Sequence, residues 1–112
     1  MTYTNKHFDE ILKVKPTHAT RGELNALRAY LDCQYCEETE YIVRDMGFAE
    51  NMLDFLATIQ AAGITEFIIA DNSTALMEIL NILLNNGWAV SGTYEHEYEY
   101  SRVYGLRMRK VA

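Results

Sequence analysis

Between Gly63 and Trp88 the chain switches from one hydrophobic pattern to another and back, and that alternation dictates a β-α-β unit. Ile64 to Ala70 is too short for a helix of ordinary length, and Phe67-Ile68-Ile69-Ala70 is a continuous apolar run. Such a run suits a strand buried on both faces. Asp71-Asn72-Ser73-Thr74 then reads as a turn that supplies a helix N-cap. The helix continues to Asn86 and is apolar nearly all round, because Leu76, Met77, Ile79, Leu80, Ile82, Leu83 and Leu84 leave little room for polar side chains. A helix of that kind lies at the centre of a core or is covered by a partner. Asn86-Gly87 ends it, since glycine takes the left-handed conformation without steric cost. If the two flanking strands are parallel, the crossover is expected to be right-handed.

Two more strands follow in this reading. From Trp88 to about Tyr98, one parity holds Trp88, Val90, Tyr94, His96, Tyr98 and, beyond, Tyr100, while the other holds Thr93, Glu95, Glu97 and Glu99. Val103 to Val111 is the last strand, with Leu106 and Met108 inward and Arg107 and Arg109 outward, where they can pair with glutamates across the strands. Upstream, Phe8, Ile11 and Leu12 suggest a short helix over residues 1 to 15, ended by Pro16. Thr20-Arg21-Gly22-Glu23 matches a capping box and opens a helix to about residue 37. Met52, Phe55, Leu56 and Ile59 mark a third over 49 to 62, stopped by Gly63. Residues 38 to 47 are ambiguous between a strand and a helical extension. The expected architecture is α+β: N-terminal helices followed by a β-α-β-β unit with a small three-stranded sheet.

A length of 112 residues suits one domain over 1–112, and 49% apolar with 23% charged residues is globular composition. The net charge of −6 repels phosphate backbones. Arg102, Arg107, Arg109 and Lys110 gather late in the chain, but Glu95, Glu97 and Glu99 stand ready to neutralise them, so duplex nucleic acid is not an expected partner. The first ten residues hold no apolar stretch of signal-peptide type. The longest nearly apolar stretch, Thr74 to Leu84, is far short of the ~20 residues of a membrane span, so no membrane association is expected. A cytoplasmic protein with Cys33 and Cys36 reduced follows as the expectation.

The run Phe67-Ile68-Ile69-Ala70-Asp71-Asn72-Ser73-Thr74-Ala75-Leu76-Met77, followed by Asn86-Gly87-Trp88, resembles a group of small uncharacterised bacterial proteins that accompany mobile elements in gut-type Gram-positive bacteria. Phe55, Ala62-Gly63-Ile64 and Glu66-Phe67 look similar as well. The resemblance covers about residues 45 to 111. It implies a mobile-element accessory protein of unknown biochemistry and carries over no catalytic residues.

Candidate chemistry is sparse. Cys33-Gln34-Tyr35-Cys36 is a CxxC, but it falls late in a helix rather than at the N-terminus that would lower a thiol pKa. Asp32, Glu37 and Glu38 would raise it further, and no second CxxC or spaced pair among His7, His18 and His96 completes a zinc site. No metal, cofactor or catalytic residue is therefore assigned, and His96 in its tyrosine-flanked strand reads as structural. Asp71, Asn72, Ser73 and Thr74 stand where a strand ends and a helix begins, a place where free N–H groups suit an anion, although no glycine-rich phosphate loop is present. The segment Glu37, Glu38, Glu40, Asp45, Glu50 and Asp54 holds one base, Arg44, and can present a negative patch. Tyr94 and Tyr98 offer contact area of the kind enriched at interfaces. The leading expectation is a non-enzymatic interaction or regulatory protein whose partner is a protein with a basic surface, with self-association as a homodimer left open. Two alternatives stand beside it: an acidic DNA-mimic inhibitor of a host defence nuclease, and a small-molecule binder or enzyme that uses the turn at 71–74.

Overall fold

The computed structural model describes residues 1–14 and 19–111. The expected helix stop at Pro16, and His18, lie outside the described residues. Four helices and four strands follow in the order α1 (Lys6–Lys13), α2 (Arg21–Tyr35), β1 (Ile42–Val43), α3 (Met52–Ala61), β2 (Glu66–Ile69), α4 (Leu76–Asn85), β3 (Trp88–Glu97) and β4 (Arg102–Lys110), with a 3-10 turn at Ala49–Asn51 leading into α3. The class is α+β.

Each early helix begins on a side-chain cap. Asn5 accepts from the Phe8 N–H at 3.0 Å, and Thr20 accepts from the Glu23 N–H at 3.2 Å, the first half of the capping box. Tyr30 ties α1 to α2, because its hydroxyl donates to Asp9 at 2.6 Å and accepts from the Asn5 N–H at 3.1 Å and the Gln34 amide at 2.8 Å. The Asn5 amide donates across to the Ala62 carbonyl, joining α1 to the end of α3. Gly22 lets α2 approach α3 closely, since a Cβ there would collide with Asn51 and Phe55 backbone atoms.

The sheet has four strands in the order β1-β2-β4-β3, not the expected three. The ambiguous segment supplies the extra one: Ile42 and Val43 pair in parallel with Ile68 and Ile69. Only two residues of that segment are strand, too few to show a period in the sequence. β4 pairs antiparallel with β2 on one side and β3 on the other, so β2 and β3 run in the same direction without touching. The core gathers Phe8, Tyr30, Met52, Phe55, Ile68 and Trp88 with other fully buried side chains.

Two expectations fail here. The strand parity breaks at a bulge between Val90 and Gly92: Val90 opposes Met108, whereas Tyr94 opposes Gly105. Met108 and Gly105 differ in parity, so Tyr94 and His96 lie on the face opposite to Trp88 and Val90. The second concerns α4, which is not central to the core. It buries only Ile79 and Leu83, and leaves Met77 71% and Leu84 51% exposed.

Candidate functional site

The turn after β2 is built around Asp71. Its carboxylate accepts from the Met46 N–H at 3.0 Å and from the Ser73 N–H at 2.9 Å, so it locks the loop after β1 to the approach of α4. Ser73 and Thr74 do not cap the helix as expected. The N–H of Ser73 is engaged by Asp71, and α4 starts later, from Ala75, with no side-chain cap. Ser73 and Thr74 instead line a cleft of about 430 Å³ together with Arg21, Asn25 and Arg28 of α2 and Asp45 of the intervening loop. Asp71 and Asn72 stand outside this lining. The structure thus splits the four sequence-assigned ligand residues, two into a strut and its turn and two into a cleft wall. The α2 residues were missed because they precede the turn by more than forty positions. Their signal was present as Arg21, Asn25 and Arg28 at i, i+4 and i+7, one face of a helix.

The candidate partner residues converge more than their spacing in sequence suggested. Arg44 holds Glu38 at 2.7 Å and also donates to the Tyr98 hydroxyl at 3.3 Å. Arg107 holds Glu40 at 2.8 Å and lies 5.8 Å from the centre of the Tyr94 ring. Two arginines therefore join the acidic segment to the tyrosine-bearing hairpin in one cluster. Burial opposes the charge on Arg44, yet the bonds to Tyr98 and Glu38 outweigh it and raise its pKa. Burial raises the pKa of Tyr94. Beside the cluster is a smaller hollow of about 250 Å³, with Glu40, Arg107, Tyr3 and Ser91 on its walls. Glu37 plays a different part. It sits at φ 56 in the left-handed region and closes α2, with its N–H bonded to the Gln34 carbonyl and the Glu38 N–H bonded to that of Cys33.

The expected cross-strand pairs are also redistributed. Arg102, not Arg107 or Arg109, pairs with Glu95 at 2.8 Å and Glu97 at 3.3 Å. His96 packs edge-on against Tyr98, with ring centres 4.4 Å apart. Cys33 is fully buried, and its sulfur bonds to both the N–H and the carbonyl of Ile42 at 3.3 Å, while Cys36 is exposed. Burial pushes the Cys33 thiol pKa up, away from the range of a reactive thiolate.

A third feature was read in the sequence only as a hint. On α4, Met77, Leu80 and Leu84 stand at i, i+3 and i+7, a spacing that aligns them in one stripe. Met77 and Leu84 are mostly exposed and Leu80 is half-buried. Glu78 is the single charged residue of the helix and lies off that stripe. Val90, on the β3 strand beside α4, is 46% exposed. No described helix is long and apolar enough to cross a membrane.

No curated protein matches the chain. A family model does match, across residues 25–108, from the middle of α2 to near the end of β4. That span takes in most of the cleft, the arginine-joined cluster and the α4 stripe, and the chain belongs to the family described as a domain of unknown function, DUF7698.

Proposed function

We propose that this chain is a non-enzymatic interaction protein that docks an amphipathic helix of a partner protein against α4. The observation that carries the reading is the stripe of Met77, Leu80 and Leu84, whose spacing fits the seam between two packed helices. A monomeric surface seldom leaves large apolar side chains contiguous, and α4 adds no charge along that line. Further burial of each side chain contributes on the order of 1 kcal/mol. After the entropic cost of association this supports a transient complex. The net charge of −6 favours a partner whose polar flanks are basic. An accessory role in a mobile element, implied by the sequence resemblance, accords with a protein that acts by association. The DNA-mimic reading has less support, because Glu38, Glu40, Glu95 and Glu97 all stand in ion pairs with the chain's own arginines.

The test is a Met77→Glu, Leu84→Glu double variant. Both side chains are exposed, so circular dichroism and thermal unfolding should match the wild type. A photo-crosslinker at Asn81 should yield a basic partner protein in the wild-type background and lose it in the variant. Equal crosslinking in both backgrounds would overturn the reading. A concentration-dependent dimer that the variant abolishes would make a second copy the occupant in place of a basic partner.

A further inference from the structure

We propose that the cleft between α2 and the start of α4 binds a small phosphomonoester. Arg21, Asn25 and Arg28 form one face of α2 and line the cleft, with Ser73 and Thr74 on another wall. Arg44, Arg102 and Arg107 each hold a glutamate. Arg21, Arg28 and Arg109 have no ion-pair partner among the described residues, and of these Arg21 and Arg28 line this cleft. Two guanidiniums thus converge on one concavity in a chain where acidic residues outnumber basic ones by 16 to 10.

A second observation is independent of charge. The side-chain nitrogen of Asn25 is fully buried and has no acceptor among the described residues. An unmet buried donor costs about 1–3 kcal/mol; the nitrogen lies against Gly47 while Asn25 itself lines the cleft, so rotation of its amide toward a bound oxygen would relieve that cost. Asp45 is the one carboxylate of the lining among the described residues, and one of its oxygens already accepts from the Gly47 N–H at 2.9 Å. The local balance is therefore two cations against one engaged anion.

The geometry selects the ligand class. Arg21 and Arg28 lie two turns apart, roughly 10 Å along the helix. Their long side chains can close on one anion from both ends, with Asn25 between them. Paired guanidinium forks suit the several terminal oxygens of a phosphate dianion better than the two of a carboxylate. The ligand must be small, because a net charge of −6 repels polyanionic surfaces such as nucleic acid or acidic lipid. A volume of about 430 Å³ falls within the range of small-molecule pockets.

Amide NMR tests this directly. Titration of the labelled protein with glucose 6-phosphate and with inorganic phosphate should shift Ser73, Thr74, Ala75 and the Asn25 side-chain amide saturably, whereas glucose should not. Arg21→Gln with Arg28→Gln, both at exposed positions, should leave the remaining spectrum in place and weaken binding about tenfold or more. Shifts that persist in the double variant, that glucose reproduces or that never saturate would overturn the proposal. Tighter binding to phosphatidic acid vesicles than to either soluble phosphate would also overturn it, by naming a lipid surface as the ligand.

Discussion

α3 and α4 are both ten residues long and strongly apolar, yet they meet opposite fates. α3 buries Met52, Phe55, Leu56, Thr58 and Ile59, whereas α4 buries Ile79 and Leu83 alone. Position in the fold makes the difference. α3 is held by α2 through the close contact at Gly22, while α4 lies against the outermost strand, β3. Apolar content therefore reports what a helix could bury, and on α4 a surplus of it stays exposed.

The largest separation between the two helices should appear on truncation. Phe55→Ala is expected to cost about 3–5 kcal/mol, the range for a fully buried aromatic that leaves a cavity. Leu80→Ala should cost about 1–2 kcal/mol, because that side chain is only half-buried and loses less transfer energy. Urea unfolding of the two variants measures both, and equal losses would erase the distinction.

Alkali should weaken the fold through its buried tyrosines. Burial raises the pKa of Tyr3 and Tyr30 and holds that of Tyr41 well above the ordinary tyrosine value. Above a pH of about 10 the unfolded chain releases these protons while the folded chain keeps them. Their contribution is whole below that pH and is lost as pH rises through the folded values, at up to about 1.4 kcal/mol per pH unit for each retained proton. Tyr41→Phe, which also removes the bond to the Ala26 carbonyl, should flatten the alkaline slope. Leu80→Ala should leave the slope unchanged.

A smaller test compares how α2 and α3 end. Both use the same pair of backbone bonds: Glu37 to Gln34 with Glu38 to Cys33, and Gly63 to Gln60 with Ile64 to Ile59. Gly63 has φ 75 and Glu37 has φ 56, so one end carries the residue that geometry favours and the other does not. Gly63→Ala should cost about 1 kcal/mol, and Glu37→Gly should gain up to about that much. Thermal midpoints that move the same way in both variants would refute the shared geometry.

These two ends also show what a sequence can disclose. The stop at Gly63 was legible because glycine marks a left-handed residue, whereas nothing in Glu37 marks one. The same holds for the strands. β3 and β4 were legible because each runs for nine or more residues. The two residues of β1 were not, since they form a strand only because β2 is there to pair with them. The bulge at Val90–Gly92 inverted the reading of Tyr94 and His96, because a one-residue shift leaves alternation intact while reversing its sense. For the candidate sites, the turn at 71–74 was visible, but its partners on α2 come into view only in three dimensions.

The placement of β4 between β2 and β3 has a consequence for the newborn chain. β2, with Phe67, Ile68 and Ile69, leaves the ribosome well before the strand that will sit beside it. At about 5–20 residues per second, seconds pass before β4 is made. During that interval only the short pairing with β1 covers one side of β2, and its other edge is open to any extended apolar segment nearby. Safe biosynthesis of this domain depends on how quickly β4 closes that gap, so crowded translation of its message is where aggregation would begin.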